Sequence, residues 1–205
     1  MSRPGKIVCV GRNYLEHAKE LGNEVPKEPL LFLKPPSSVI GANQAIVLPT
    51  QSKQVEFEGE IGIRIAKKIF RASEAEARAA IGGVAAVNDV TARDLQKTDG
   101  QWTRAKGFDT FCPVGSDAAV PDDLDSLAVV TRVNGVERQR GVASDMAFHI
   151  PMLLAYITTI MTLATPRWRS TPFTRVTTVR LSRSSGTAAS EPTGQNVSNP
   201  FARVH

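Results

Sequence analysis

Short apolar runs separated by polar turns recur along the first 163 residues, and most of them predict β-strands. Stretches rich in Val, Ile and Leu, either continuous or at period two, are typical of strands. An Asn-Gly pair between two such runs is typical of a tight hairpin. The pattern predicts strands over residues 6–10, 30–34, 45–49, 55–66 and 84–90, and a hairpin turning at Asn134-Gly135.

Four segments have the composition or the end signals of helices. Ser73 precedes a helical pattern and Glu76 follows three residues later, which is the spacing of a capping box. The predicted helices cover residues 14–21, 73–81, a segment that begins at Thr91, and the region 144–163. No internal repeat interrupts this alternation of short strands and helices.

Residues 146–163 form an uncharged stretch of 18 residues that reaches the lower limit for a membrane span. The stretch also contains His149, Pro151 and three threonines, which disfavour insertion. Proline is tolerated in the first turn of a helix. We therefore expect a buried amphipathic helix beginning near Pro151 and no membrane span.

The composition is that of an ordinary soluble domain. The chain has 205 residues, of which 41% are hydrophobic and 22% are charged, and this size suits one domain. Cys9 and Cys112 are too far apart for a ligand pair, and Cys9 lies in an apolar run where a buried thiol is expected. Residues 1–12 have no signal-peptide pattern, so a cytoplasmic location is the default.

The formal net charge of +5 arises in the last 42 residues. Residues 164–205 hold six of the 25 Lys+Arg and one of the 20 Asp+Glu, which leaves 19 of each sign in residues 1–163. The body has no basic stripe with interleaved aromatic residues, so nucleic-acid binding is not expected. The same tail contains 13 Ser+Thr and no lysine, a composition that predicts disorder or a poorly packed extension.

Three glutamates occupy alternate positions in the strand-like segment VEFEGEIGI. On one continuous strand, Glu56, Glu58 and Glu60 would share a face, with neighbours about 7 Å apart. Such a row repels itself unless the face is solvated or a cation lies against it. An exposed acidic strand and a cation-binding strand are both compatible with this segment alone.

Asp89 favours the cation, because it ends a buried apolar strand, where a carboxylate can meet a ligand. Together with Glu58 and Glu60 it would supply hard oxygen ligands that suit Mg²⁺ or Mn²⁺. Zinc fits less well, since the neighbourhood has one histidine and no suitable cysteine pair.

Other side chains suggest acid–base chemistry. His17 and Glu20 are three residues apart, so on a helix they can pair, and the carboxylate would make the imidazole a better general base. An ordinary surface pair is the simpler alternative. Lys34 and Lys106 follow apolar or aromatic positions, and a lysine beside a metal can stabilise an enolate. Most lysines only solvate a surface.

Seven ordered motifs resemble the fumarylacetoacetate hydrolase family, most closely its short single-domain branch with acylpyruvate hydrolases and oxaloacetate decarboxylases. They are GRNY, HAKE, EPLLFLKP, FEGEIG, NDVTARDLQ, AKGFDTFCPVG and VNGVERQ, and they span about residues 5–163. The resemblance implies an α+β fold, a mixed β-roll of the family's C-terminal-domain type with flanking short helices. It also implies a homodimer.

The resemblance also assigns roles to residues. It implies a divalent cation, Mg²⁺ or Mn²⁺, held by Glu58, Glu60 and Asp89, while Glu56 lies outside the motif as a structural acid. The implied catalytic residues are His17, Glu20 and Lys106, and the implied substrate-binding residues are Arg12, Lys34 and Gln96.

The implied function is a hydrolase or lyase that cleaves carbon–carbon bonds of small 2-oxo or β-diketo acids through a metal-bound enolate. Acylpyruvate hydrolysis and oxaloacetate decarboxylation are the expected reactions. A hydratase or isomerase of aromatic catabolism, of the 2-hydroxyhepta-2,4-diene-1,7-dioate isomerase kind, is the alternative within the family. A catalytically inactive, truncated homologue is the alternative from a different functional class, a protein that is not an active enzyme.

The chain departs from the family pattern after about residue 164. The family's Gly-Thr-Pro-x-Gly-Val motif, with the last strands of its roll, is absent, and Ser170-Thr171-Pro172 is only a fragment of it. We therefore divide the chain into a catalytic domain, 1–163, and an atypical tail, 164–205. The abrupt change in composition suggests a tail read from a shifted reading frame, and a divergent native tail is the alternative.

Overall fold

The computed structural model describes residues 4–14 and 26–165, and every structural statement below refers to them. The predicted helix over residues 14–21 lies almost wholly outside these ranges, as do His17, Glu20 and the tail from residue 166. Tyr14, the one described residue of that predicted helix, makes a β-bridge with Met146.

The described chain consists of short strands and short helices. The strands are β1 (Ile7–Gly11), β2 (Leu30–Lys34), β3 (Val39–Ile40), β4 (Val55–Glu56), β5 (Gly59–Ile65), β6 (Ile81–Asn88), β7 (Thr91–Ala92), β8 (Cys112–Pro113), β9 (Ala128–Val133) and β10 (Val136–Val142). The helices are α1 (Glu74–Ala79), α2 (Arg93–Thr98), α3 (Thr103–Gly107) and α4 (Ile150–Ile160), with 3-10 turns at Pro36–Ser38 and Ala143–Asp145.

The strands pair two by two, with both orientations present. Four pairs are antiparallel, namely β1–β2, β4–β7, β5–β6 and β9–β10, and β3–β8 is parallel. Single bridges from Val84 to Ala118 and from Val87 to Val114 tie β6 to the chain that follows α3. The α+β class and the mixed strand pairing predicted from the sequence are confirmed.

The predicted strand over residues 55–66 is in fact two strands with different partners. Val55 and Glu56 pair with β7, whereas β5 begins at Gly59 and pairs with β6. Between them, the Glu58 amide donates to the Asn88 side chain at 3.0 Å, and the Asp89 amide donates to the Glu58 carbonyl at 2.6 Å. The prediction of one continuous strand was wrong. These two hydrogen bonds hold Glu58 against the end of β6, and the chain changes its partner there from β7 to β6.

Three further element predictions were wrong, either in existence or in extent. Residues 45–49 form no strand, and Ile46 alone makes a bridge, while Val47 donates its amide to the Thr110 hydroxyl at 2.9 Å. The helix expected from Thr91 begins at Arg93, because Thr91 and Ala92 form strand β7. The last helix is also shorter than predicted, spanning Ile150–Ile160.

Local sequence signals located the other turns and ends correctly. Asn134 and Gly135 have φ values of 51° and 79°, the left-handed pair that a tight hairpin between β9 and β10 needs. Ser73 and Glu76 form the predicted capping box at the start of α1. The Ser73 amide donates to the Glu76 carboxylate, which lowers the pKa of Glu76.

The two larger of three apolar clusters in the described residues hold the elements around the site together. The larger one joins α1 and α4 to the half-buried faces of β1 and β5. The smaller one consists of Ile46, Val90, Ala92 and Phe111, and in it the Val90 amide donates to the Phe111 carbonyl at 3.1 Å. Because Val90 follows Asp89 directly, the smaller cluster supports the segment that carries this carboxylate. No helix in residues 4–14 or 26–165 is long and apolar enough to cross a membrane.

We expect Phe111→Ala to lower the free energy of unfolding by about 3–5 kcal/mol, because the ring is fully buried and its removal leaves a cavity. Phe70→Ala is the matched control, since this ring is 53% exposed and its loss should cost about 0.5 kcal/mol or less. Urea denaturation followed by circular dichroism measures both. Equal losses in the two variants would contradict the packing described here.

Candidate active site

A buried lysine joins two acidic side chains from different strands. Lys106 on α3 is 2% exposed, and its ammonium lies 2.8 Å from Glu58 Oε2 and 2.7 Å from Asp89 Oδ2. The same ammonium lies 5.0 Å from the centre of the Phe32 ring on β2. The structure therefore brings three of the predicted site residues, Glu58, Asp89 and Lys106, into direct contact.

A second buried lysine meets the other oxygen of Asp89. Lys34, at the end of β2, is 1% exposed, and its Nζ lies 2.7 Å from Asp89 Oδ1. The ammonium also donates a hydrogen bond to the Val90 carbonyl at 3.1 Å. Asp89 is thus ion-paired through both of its oxygens, to Lys34 and to Lys106.

An arginine on α2 binds the two remaining acids of the cluster. Arg93 Nε lies 2.8 Å from Glu56 Oε2, and Arg93 Nη2 lies 2.5 Å from Glu58 Oε1. Glu56 is 5% exposed and also accepts a hydrogen bond from the Gln54 side-chain Nε2 at 2.6 Å. The cations that lie against the acidic segment are therefore supplied by the chain itself.

Charges balance within this cluster of six side chains. Three carboxylates, Glu56, Glu58 and Asp89, face three cations, Lys34, Arg93 and Lys106. Burial alone would raise the pKa of Glu58, but the charges of Lys106 and Arg93 outweigh it and lower this pKa to about 2. Burial alone would lower the pKa of Lys106, and the carboxylates of Glu58 and Asp89 instead raise it above its ordinary value. All the groups of the Glu58–Lys106 contact are charged at neutral pH.

Glu60 lies beside this cluster on the wall of a large cavity. The cavity has a volume of about 670 Å³, and Lys34, Glu60 and Asp89 are among its polar lining residues. Most of its wall is apolar and comes from β1, β5 and α4. Glu60 is partly exposed, so among the three glutamates it is the one that faces this space.

Both cysteines line the same cavity. Burial, and after it the neighbouring carboxylate of Asp89, raises the pKa of Cys9, although the residue is only half-buried. Burial also raises the pKa of the fully buried Cys112 to about 12. Both side chains are therefore neutral thiols at physiological pH, which excludes thiolate nucleophiles here.

The other predicted site residues have different surroundings. Arg12 follows β1 in a left-handed conformation, with φ 56°, and is exposed. The next residue, Asn13, fixes this bend, since its side chain accepts from the Phe148 amide at 2.9 Å and donates to the Phe148 carbonyl at 3.0 Å. Gln96 on α2 is half-buried and contacts Arg93. His17 and Glu20 lie outside the described residues.

The oxygen donors of this cluster fit a hard cation in kind. Glu58 and Asp89 converge on one positive charge, the Lys106 ammonium, and Asp89 Oδ1 faces a second one, the Lys34 ammonium at 2.7 Å. Across residues 4–14 and 26–165, however, no three His, Cys, Asp or Glu side chains are already arranged around one point. Glu58, Glu60 and Asp89 would have to reorient around an ion bound by all three.

Arg93 is the residue of this site that sequence reasoning missed. It lies inside the NDVTARDLQ motif, four residues after Asp89 and three before Gln96. The i,i+3 spacing to Gln96 was a usable signal on a helix. Its contacts with Glu56 and Glu58 depend on the pairing of β4 with β7, which the sequence pattern did not predict.

Comparison with known proteins agrees with these motifs. The family described as Fumarylacetoacetate (FAA) hydrolase C-terminal matches residues 6–166. An uncharacterized protein of Archaeoglobus fulgidus is 47% identical over 160 residues, which cover 78% of this chain and 64% of that protein. A protein of Arabidopsis thaliana named oxaloacetate tautomerase FAHD1, mitochondrial, is 47% identical over 164 residues, covering 77% of this chain and 74% of that protein.

A solved structure extends the agreement to the fold. It is described as 2-hydroxyhepta-2,4-diene-1,7-dioate isomerase from Mycobacterium marinum, and it is 41% identical with a TM-score of 0.72. The match covers 80% of this chain and 61% of that chain, so the present chain spans about three fifths of it. With a family match over most of the described residues and relatives of this identity, the chain belongs to the fumarylacetoacetate hydrolase family and has the fold of its C-terminal domain.

Proposed function

We propose that the chain acts on small 2-oxo dicarboxylic or β-diketo acids through an enolate, with keto–enol interconversion of oxaloacetate as its first reaction to test. The observation that supports this most is the contact of Lys106 with both Glu58 and Asp89 in a buried site. In such a site the Lys106 ammonium is a preorganised hydrogen-bond donor for a developing oxyanion, although the neighbouring carboxylates balance its charge. The names of the Arabidopsis and Mycobacterium relatives, a tautomerase and an isomerase, both describe reactions of this type.

Carbon–carbon cleavage of acylpyruvates or oxaloacetate is the second candidate reaction. It would use the same enolate, because loss of an acyl group or of CO₂ leaves the pyruvate enolate behind. Hydrolysis also needs an activated water, and the resemblance gives this role to His17 and Glu20. Tautomerisation and decarboxylation need no water. Separate assays of keto–enol interconversion and of pyruvate release distinguish the first candidate reaction from the second.

We propose Glu58, Glu60 and Asp89 as the ligands of a Mg²⁺ or Mn²⁺ ion. When bound, such an ion would polarise the 2-oxo group and stabilise negative charge on its oxygen. The positions of Glu60 and Asp89 on the wall of the cavity support this assignment. Arg93 keeps Glu58 ionised, and an ionised carboxylate is the form that binds a cation.

Lys106 has the role of a charged donor in this proposal. Two carboxylates contact its ammonium, so it is protonated and suited to donate a hydrogen bond to an enolate oxygen. A lysine held in this way is a poor general base. Proton abstraction is therefore assigned to another group, and the His17–Glu20 pair is the one that the resemblance offers. Lys34 fixes Asp89 from the opposite side.

The homodimer and the cytoplasmic location stay predictions. An inactive homologue also stays an alternative, since the chain spans 61% to 74% of the relatives described above. An activity assay decides between an active and an inactive chain.

We expect the full chain with Mg²⁺ to speed the decay of the enol absorbance of oxaloacetate. Asp89→Asn should lower kcat/KM at least about 100-fold, because Asp89 is a proposed ligand of the ion that would stabilise the developing charge. Asp125→Asn is the control, since this carboxylate is 49% exposed and pairs with His149 away from the cluster. Pyruvate release in a coupled assay reports cleavage. A chain with no activity toward oxaloacetate or acylpyruvates would refute the proposed function.

We expect one Mn²⁺ ion per chain to bind in competition with Mg²⁺, measured from the electron paramagnetic resonance signal of free Mn²⁺. Glu60→Gln should weaken binding at least about tenfold, since changes even beyond the ligands cost that much. Glu74→Gln, on the exposed first turn of α1, should leave binding unchanged. Equal binding by both variants would remove Glu60 from the ligand set.

We expect Lys106→Met to lower the free energy of unfolding by about 3–5 kcal/mol at pH 7, because it leaves two largely buried carboxylates without their shared cation. The loss should shrink as the pH falls, because protonated carboxylates need no cation. In the wild type, the contribution of ionised Glu58 is present above the ordinary glutamate pKa of 4.5 and is lost as the pH falls towards 2. Lys53→Met, at an exposed lysine, is the control. A loss that does not vary with pH would contradict this electrostatic account.

A further inference from the structure

The large cavity runs along the edges of two strands. Successive side chains of a strand point to opposite faces, so a cavity beside one face touches every second residue. Here every residue from Ile7 to Val10 on β1, and every residue from Glu60 to Ile65 on β5, lines the wall. All five residues of β1 are half-buried, without the alternation of a strand that covers a core. The backbone edges of β1 and β5 therefore form part of this wall.

Each of these two strands has one paired edge. Within the described residues, β1 pairs with β2 and β5 pairs with β6, and neither has a second partner strand. The backbone amide and carbonyl groups on an open edge are a template for another strand. The rest of the wall is mostly apolar, with Leu153, Leu154 and Ile157 from α4, so it offers these groups few hydrogen-bond partners. An extended segment that pairs with an edge would satisfy them.

The described chain ends on the wall of the same cavity. Leu163 and Thr165 line it, and Leu163 exchanges two backbone hydrogen bonds with Ile69. The Lys6 ammonium donates to the Thr162 carbonyl at 2.9 Å, which places this segment beside the start of β1. The residues that follow Thr165 are thus tethered near the open edge of β1. A short tether gives an effective concentration of about millimolar, which favours the chain's own segment over a free partner.

The sequence beyond Thr165 contains one run with the composition of a strand. In residues 173–181, FTRVTTVRL, five of the nine positions are Val or Thr, and none is Gly or Pro. The eight steps from Thr165 to Phe173 span up to about 28 Å when extended, whereas a five-residue strand such as β1 is about 17 Å long. The run can therefore reach either end of β1.

Charge in the cavity fits the middle of this run. The wall carries equal numbers of basic and acidic side chains, namely Lys6, Lys34, Arg64, Glu60, Asp89 and Asp117. A wall with no net charge favours an uncharged segment, and residues 176–179 are uncharged. Arg175 and Arg180 flank them, five residues apart, which is about 17 Å on a strand. Both guanidinium groups can therefore reach solvent at the two ends of a pairing with β1.

We propose that residues 173–181 bind in this cavity as an added strand, paired with the open edge of β1. The pairing is independent of the proposed function, since neither a substrate nor an ion takes part in it. It would cover Cys9, which lies on β1, lines the cavity and is half-buried. Cys9 is therefore a reporter of the pairing.

Amide–amide nuclear Overhauser contacts in the deuterated, ¹⁵N-labelled full chain test the pairing directly. We expect contacts between the amide protons of residues 176–179 and those of residues 7–10, because paired strands bring their backbones to about 4.8 Å. This measurement needs no substitution. An assigned spectrum in which residues 176–179 contact no amide of β1 overturns the proposal.

Maleimide labelling of Cys9 tests the same pairing in solution. Thr177→Pro should speed the labelling at least about tenfold, because proline lacks a donor and disrupts a strand at its centre, which opens the cavity. Thr187→Pro is the matched control, since it makes the same change outside the run, and it should label at the wild-type rate. Equal rates in the wild type and in Thr177→Pro would refute the added strand.

Two internal references make the labelling decisive. Cys112 is fully buried, so faster labelling of Cys112 in Thr177→Pro would mark a loss of the whole fold, and the contacts in the wild-type chain then decide alone. Protection of wild-type Cys9 that rises with protein concentration would place a second copy of the chain in the cavity and overturn the proposal. Labelling of wild-type Cys9 as fast as in urea would show an open cavity, with the same consequence.

Discussion

The contact between Glu58 and its two cations, Lys106 and Arg93, is the interaction on which the rest of the site depends. A carboxylate that is largely buried is costly unless it is paired, and an unpaired Glu58 would be protonated instead of charged. With both cations in place, its pKa falls to about 2. The same pairing fixes Lys106 against Asp89 and Arg93 against Gln96. Removing either cation would therefore disturb every other part of the site.

Backbone geometry brings these side chains together. The break between β4 and β5 places Glu58 next to the end of β6, where the Asp89 amide binds the Glu58 carbonyl. Two short helices then return Arg93 and Lys106 to the same point, and β2 delivers Lys34 from the other side. The cluster around Phe111 supports the segment after Asp89. The match to the fumarylacetoacetate hydrolase family covers all of these elements, since it extends over residues 6–166.

Sequence reasoning succeeded where the signal was local and failed where it depended on distant partners. The hairpin turn at Asn134-Gly135 and the capping box of Ser73 and Glu76 depend only on residues adjacent in sequence, and both formed as predicted. The strand break at Glu58 arises from contacts with Asn88 and Asp89, about thirty residues along the chain, and no periodicity reveals it. Glu58 and Asp89 were predicted to share a cation from their residue types and from the resemblance, whereas the contacts of Arg93 with Glu56 and Glu58 were not predicted. The three glutamates do not form one acidic face, because Glu56 is committed to Arg93 and Glu60 faces the cavity.

The central claim is that Glu58 is largely buried, ionised and held by the chain's own cations. Its most direct test is a pH titration of the Glu58 side-chain carboxyl by ¹³C NMR, with the signal assigned by its loss in Glu58→Gln and with divalent ions chelated. Our account predicts a midpoint near 2, well below the ordinary glutamate value. A midpoint at or above the ordinary value of 4.5 would contradict it.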